Sequence, residues 1–367
     1  MTLQALLSRR HRLFLRNEAP AQSTSLSRLA WRRFCRNRLS VASLIVIGLF
    51  ILIALLGYLI TPDHTPYCNQ QYLELATLHP GSHATFLCID PTDNPSGNYL
   101  TGKPLPYTAI PVTSCQTTKD SMHVIPIAGE PFTIARERVV KLHDRTFWLG
   151  TDAYGRDVLS MLMIGSRVSL SVGFIAVLIA LLIGITLGAL AAYHGGWVDN
   201  LITWLINVVW SIPTVLLVIA ITFALGKGFW QVFVAVGLTM WVDIARVVRG
   251  QVYSIKEKEY IEAARALGYS SFRTIFRHIL PNITGAVIVV AAANFASAIL
   301  LEAGLSFLGI GVQPPMPSWG TMVKENYSYI LLDSAYLALL PGLAIMLLVL
   351  AFMLLGNGIR DALDIKA

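Results

Sequence analysis

Six apolar runs divide the chain. Residues 39–60 (LSVASLIVIGLFILIALLGYLI) carry no charge over 22 positions. A helix needs about 20 apolar residues to cross about 30 Å of hydrocarbon, so this run predicts a first membrane span. It is longer than the apolar core of a cleaved signal peptide and lacks an obvious small-residue cleavage site. Five more runs follow, at about 168–192, 202–225, 229–248, 283–310 and 335–357. Pro213 falls in the third run and Pro341 in the sixth. Membrane helices accept proline because neighbouring helices re-satisfy the freed backbone groups. The pattern predicts six spans with both termini on one side.

Charge sets the orientation. Residues 1–38 hold nine arginines against one acid, Glu18. Such an arm can grip nucleic acid, but an apolar run follows it at once. Basic residues flanking a span stay cytoplasmic and are drawn to anionic lipid, so a lipid bilayer is the expected partner and nucleic acid is not. Segment 249–282 then also falls in the cytoplasm, with six Lys/Arg and three Glu. The long segment 61–167 falls outside; its eight basic and ten acidic residues do not oppose this, since long loops translocate regardless of charge. Composition agrees: the 367 residues are 55% hydrophobic and 13% charged, about half the charge of a soluble domain, with mean hydropathy +0.61.

The chain therefore divides into a basic arm (1–38), a first span (39–60), an insertion (61–148) and a five-span core (149–367). The stretch 61–147 holds ten of the seventeen prolines and three of the four cysteines. Tyr107–Val112 and Phe132–Val140 are candidate strands. Cys68, Cys88 and Cys115 would sit in an oxidising space, where two could pair, or all could stay small apolar residues. No CxxC occurs, and His64, His79, His83, His123 and His143 share no tight ligand spacing. No metal site is expected.

Residues 255–282 (IKEKEYIEAARALGYSSFRTIFRHILPN) carry the most information. Tyr260, Ile261, Ala264 and Leu267 predict one helix face, with Lys258, Glu262 and Arg265 on the polar side. Gly268 supplies a left-handed stop, and Ser270 or Ser271 a cap for the next helix. Phe272, Ile275, Phe276 and Ile279 predict a second apolar face. Pro281 ends that helix or opens the fifth span. The first apolar face either packs on this chain or enters a partner's groove.

Here a family pattern is visible. Glu262-Ala263-Ala264-Arg265-Ala266-Leu267-Gly268, followed by His278-Ile279-Leu280-Pro281, resembles the EAA loop of ABC importer permeases. His278 stands where that motif usually has an apolar residue. Residues 149–160 (LGTDAYGRDVLS), Ser211-Ile212-Pro213, residues 302–320 (EAGLSFLGIGVQPPMPSWG) and 358–364 (GIRDALD) are similar to segments of the C-type permease of dipeptide and oligopeptide importers. Relatives of that family carry nickel chelates, glutathione or antimicrobial peptides. The resemblance spans about residues 26–60 and 149–367, and Met161 replaces an arginine expected after Ser160. It implies an all-α integral membrane protein with six transmembrane helices of the type I ABC importer permease fold, carrying an extracytoplasmic insertion between helices 1 and 2. It also implies a bacterial inner membrane, a second homologous permease, two ATP-binding subunits and an extracytoplasmic substrate-binding protein. Glu262, Ala263, Ala264, Arg265, Leu267, Gly268, Leu280 and Pro281 would then dock the ATPase.

Within the apolar runs, Glu302 is the one acid deep in the fifth. It either lines the path or bonds locally to the Ser306 turn. Asn294 and Ser297, in a small-residue stretch, and Pro213 are further candidates for the path or for helix packing. Gly184 and Gly188 form a GxxxG suited to close packing. Trp319 would anchor at the outer interface or touch a partner. No GxxxxGK[ST] occurs, so the chain is not expected to be an enzyme. No cofactor is expected on it; ATP and Mg would sit on partner subunits. An ion-coupled carrier would need buried acids and inverted repeats at midplane; one candidate acid and no repeat are present. A membrane-anchored sensor is the other rival.

Overall fold

A computed structural model describes residues 26–90, 97–98, 100–226 and 228–363. The arm before residue 26 and Asp364 lie outside them. Helix α1 (Leu26–Arg36) leads into α2 (Arg38–Leu56), whose first turn is capped by the Asn37 side chain, accepting from Leu39 and Ser40 N–H. The chain then leaves the bundle. It builds β1 (Ser82–Ile89), β2 (Thr108–Thr117), β3 (Ser121–Pro126), β4 (Phe132–Ala135) and β5 (Val139–Phe147). It returns as α3 (Val158–His194), α4 (Gly196–Trp210), α5 (Thr214–Leu225), α6 (Phe229–Lys256), α7 (Glu259–Ala266), α8 (Ser271–Thr274), α9 (Leu280–Phe307), α10 (Trp319–Asn326) and α11 (Tyr336–Leu363).

The insertion corrects the all-α expectation. It is an antiparallel sheet in the order β4-β3-β2-β1-β5. Alternation explains it. Leu87 and Ile89 on β1 face Val112, Met122, Val124 and Ile134 on one side. Ala84, Phe86 and Phe147 face Tyr72 and Leu75 on the other. The candidate strand at 107–112 starts β2, while 132–140 divides into β4 and the start of β5. All four cysteines are free thiols, with Cys68 and Cys88 buried, so no disulfide staples the insertion. Cys68 and Cys88 fill the interior as small apolar side chains, and burial pushes the Cys68 thiol well above its usual range.

The insertion is tied to the start of α3. Tyr72 N–H donates to Tyr154 O at 3.1 Å and Thr77 N–H to Asp152 O at 2.9 Å. Arg156 bridges Asp152 and Glu325 of α10. The buried Asp157 caps α3 through Ser160 N–H at 3.0 Å. Burial raises its carboxyl above the usual range, while the Ser160 hydroxyl and Arg145 oppose that rise.

Among the described residues, five helices are long and apolar enough to cross a membrane: α2, α3, α6, the continuous 271–307 rod and α11. The third apolar run is not a straight span, contrary to expectation. It breaks into α4 and α5 with a bend of 93°. Proline at 213 cannot donate a backbone hydrogen bond, and Ser211 Oγ bonds back to Val208 O at 2.8 Å, so α4 ends where α5 cannot continue its ladder. Helix α3 starts ten residues before the apolar run, at its Asp157 cap, and carries Arg167 in that extension across to the end of α2. Its guanidinium donates to Ala54 O and Leu55 O, carbonyls that the helix end leaves unsatisfied.

The most extensive helix contact joins α3 to α6. A Cβ built on Gly184 would lie 2.7 Å from Ile244 Cβ, and one on Gly188 2.5 Å from Ala245 O. On the facing helix, a Cβ on Gly237 would lie 2.8 Å from Ile179 Cβ. Small residues therefore set the interaxial distance. Trp319 corrects its expected place at an interface. It is fully buried, with Nε1 donating to Leu162 O at 2.9 Å. Gly188→Val is expected to lower stability by about 1–3 kcal/mol through overpacking. Gly342→Val, whose Cβ meets nothing within 4 Å, should cost far less. Thermal unfolding of both purified variants makes the comparison.

Candidate functional site

Helix α6 runs out of the bundle at the end opposite the insertion and turns at Glu257 into the short α7. Helix α7 ends at Ala266, and the expected left-handed stop follows at Gly268, whose φ is +76°. Gly268 N–H donates to Arg265 O at 2.9 Å and Tyr269 N–H to Ala264 O at 3.1 Å. This paired bonding satisfies the last carbonyls and requires a left-handed residue at Gly268. Ser270 then caps α8, accepting from Arg273 N–H at 3.4 Å. The chain widens into a π-turn over Ile275–Ile279 and passes directly into α9, with Pro281 in its first turn. Pro281 therefore opens the fifth span rather than ending a separate helix. Leu280 is half-buried beside it.

The two apolar faces differ from the sequence expectation. Ile261 and Ala264 are buried, as are Ile275 and Ile279; three of these four, Ile261, Ile275 and Ile279, join the core that contains Val248 and Val252. Tyr260 and Leu267 point outward, with Leu267 73% exposed, because α7 ends at Ala266 and Leu267 lies beyond its packed face. Phe272 and Phe276 are also outward, their rings 4.3 Å apart. The chain thus covers the inner side of its own elbow and leaves Leu267, Phe272 and Phe276 on the outer side. Glu262, Ala263 and Arg265 are exposed around them.

Aromatic and cationic groups hold the elbow to the bundle. The Arg265 guanidinium lies 5.2 Å from the centroid of the Tyr193 ring at the end of α3. Tyr269 stacks on His278 at 5.7 Å, with Arg273 4.5 Å from its centroid. His278 is therefore a ring partner for Tyr269, which an aliphatic residue could not be. Arg249 of α6 grips Asp199 of α4 through two bonds of 2.6 and 2.7 Å. Sequence reasoning missed that pair; the signal was an acid in a short turn between two apolar runs.

The break between α4 and α5 opens a cavity of about 320 Å³. Trp210, Thr214, Thr239, Asp243 and Ser297 line it. The Arg246 guanidinium lies 3.9 Å above the Trp210 ring. Ser297 is on this cavity, and Pro213 lies between two of its lining residues, Ile212 and Thr214. Asn294 is buried beside it and donates to Met240 O at 3.2 Å. Glu302 lies elsewhere. It is fully buried, accepting from Ser306 Oγ at 2.7 Å and facing Ser169 Oγ at 3.5 Å. Ser306 Oγ in turn accepts from Val312 N–H at 3.2 Å. This arrangement ties the end of α9 to the loop that follows, and Asp243, not Glu302, is the acid on the cavity.

Comparison with known proteins bears on both regions. Residues 184–366 match the model of the binding-protein-dependent transport system inner membrane component. Residues 25–80 match the N-terminal transmembrane domain of oligopeptide transport permease C. The glutathione transport system permease protein GsiD of Pectobacterium atrosepticum is 44% identical over 60% of this chain and 72% of its own. The dipeptide transport system permease protein DppC of Alkalihalophilus pseudofirmus is also 44% identical over the same shares. Among solved structures, the MetNI methionine ABC transporter is similar at TM-score 0.46 and 20% identity, over 55% of this chain and 96% of that one. With both ends of the chain matched by models of one kind of transport component, and relatives at 44% identity covered over 72% of their length, this protein belongs to the ABC importer permeases, as a C-type component of the dipeptide and oligopeptide group.

Proposed function

We propose that the chain forms half of the translocation path of an ATP-driven importer for short peptides, and that the elbow at 257–281 is where a separate ATPase subunit grips it. The observation that carries this reading is the outward set Leu267, Phe272 and Phe276. Leu267 is exposed beyond the end of α7, and Phe272 and Phe276 border an apolar groove against Leu181, Leu182 and Ile185 of α3. A partner's groove that covered them would gain that apolar burial, where α6 and α9 both leave the bundle. The cargo reading draws on the names of the relatives: a dipeptide permease and a glutathione permease are equally similar, and glutathione is itself a short peptide. A homologous permease would complete the path, two ATPases would power it, and a binding protein would deliver cargo at the insertion side.

In this mechanism ATP binding closes the ATPases and moves α7. The Schellman turn at Gly268 keeps α7 and α8 as one rigid elbow, so the displacement passes to α6 and α9 together. Both helices wall the cavity at Asp243 and Ser297, which opens to one side or the other. A ligand shifts such an equilibrium only by its unequal affinity for the two states; the elbow supplies that inequality for the ATPase. The arginine-bearing end lies in the cytoplasm and the insertion outside, at the bacterial inner membrane.

Three outcomes are expected. Gly268→Val, which forces a β-branched residue to positive φ at a cost of about 1–2 kcal/mol, should reduce uptake and co-purification of the ATPase, while Gly268→Asn should retain more of both. Glu262→Ala should lower uptake at equal membrane abundance while leaving thermal stability nearly unchanged. A membrane-impermeant maleimide should label the half-exposed Cys115 in right-side-out vesicles and the exposed Cys35 only in inverted ones. Labelling of Cys35 from the outer side would refute the orientation. Cys68 should resist from either side.

A further inference from the structure

We propose that Asp243 and Arg246 of α6 select the cargo in the path, with Asp243 taking the terminal ammonium of a short peptide and Arg246 its terminal carboxylate. This rests on the reading that the chain forms half of a peptide path, and it narrows the cargo to peptides with both ends free. Asp243 lines the cavity left by the break between α4 and α5, together with Thr214 and Ser297. The Arg246 guanidinium lies 3.9 Å from the centroid of the Trp210 ring, and Trp210 lines the same cavity. Its volume of about 320 Å³ is at the small end of the usual range for ligand pockets, which suits a short peptide.

Position and pairing support that role. Asp243 lies midway along α6, which runs from Phe229 to Lys256, and Arg246 follows about one turn later. Charged side chains at that depth of a span face a polar path or a partner rather than lipid. The other charges nearby are already engaged: Arg249 is held by Asp199, and Glu302 by Ser306. Among the described residues, Asp243 and Arg246 form no ion pair, with each other or with any third group. Arg246 reaches across to Trp210 on α4 instead. A zwitterion, with opposite charges at its two ends, would bridge the gap between them. A guanidinium over an aromatic face keeps its N–H edge for a carboxylate, which it holds through two bonds. The Thr214 and Ser297 hydroxyls have no hydrogen-bond partner among the described residues and are available to peptide amide groups.

The test uses the assembled transporter with its binding protein in proteoliposomes. ATP-driven uptake of trialanine is compared with that of N-acetyl-trialanine and trialanine amide, each at saturating concentration. The binding protein is common to every arm, so its own preference cancels when each variant is expressed relative to the wild type. Asp243→Asn should slow trialanine by about tenfold, the loss of one charge-assisted bond, and hardly change N-acetyl-trialanine. Arg246→Gln should slow trialanine to a similar degree and spare the amide. Asp243→Glu, which keeps the charge, should retain most of the uptake. Equal loss for free and blocked peptides would mark the pair as a contact with the partner permease and overturn the proposal. Unchanged uptake in both variants would overturn it alone, whereas a wild type that imports no trialanine would overturn the peptide reading as well. If the wild type imports only the free peptide, or a variant fails to assemble, Trp210 emission in the assembled wild-type transporter without binding protein, taken as the difference from Trp210→Phe, replaces uptake. Trialanine should change that emission and both blocked forms should change it less; no response, or an equal one to all three, would overturn the proposal.

Discussion

Three glycines, Gly184, Gly188 and Gly237, let α3 and α6 meet with almost no side chain between their backbones. In lipid there is little hydrophobic force between helices, so close van der Waals contact carries their association. Helix α3 is 37 residues long, about 55 Å at 1.5 Å per residue. One of its ends is held to the insertion, by Arg145 of β5 against Asp157 and by Val158 N–H to Gly150 O; the other, at Tyr193, lies under Arg265 of the elbow. The seam thus joins the insertion, the cavity wall on α6 and the elbow into one connected frame. If this contact loosened, the elbow would no longer have a fixed relation to the cavity.

That frame gives the proposed coupling a physical route. The elbow is not a flexible loop. Its two ends continue into α6 and α9, its turn is closed by backbone bonds at Gly268, and its inner face is part of the core. A push on Leu267 or Phe272 would cross only the short joints at Glu257–Lys258 and Leu267–Ser270 before it reached the helices around Asp243 and Ser297. The bend between α4 and α5 is the complementary feature. It leaves space against α6 and α9 that a straight third span would have filled.

The local features were legible in the sequence. Gly268 announces the turn, and the pair Ser270 and Ser271 the cap, because those functions depend on one residue each; the structure assigns the cap to Ser270. The spans are visible because lipid demands long uninterrupted apolar runs. The rest depends on distant contacts. Pro213 marks the break, but the angle of 93° is set by what α4 and α5 pack against. Strand β1 pairs with β5 across about fifty residues of intervening chain, and no local pattern encodes that register. Periodicity placed Phe272 and Phe276 with Ile275 and Ile279, but it cannot say which part of a wide apolar face the chain itself covers. Trp319 reads as an interface residue by type, yet Gly165 leaves a recess that its ring occupies.

The central claim is that the outer face of the elbow is occupied by an ATP-hydrolysing protein. Photocrosslinking from p-benzoylphenylalanine placed at Phe272, in native membranes, tests it directly. The account predicts one dominant adduct, with an ATPase subunit of the same transporter, and a yield that changes when ATP is trapped. Adducts with lipid alone, or with a protein that does not hydrolyse nucleotide, would contradict it.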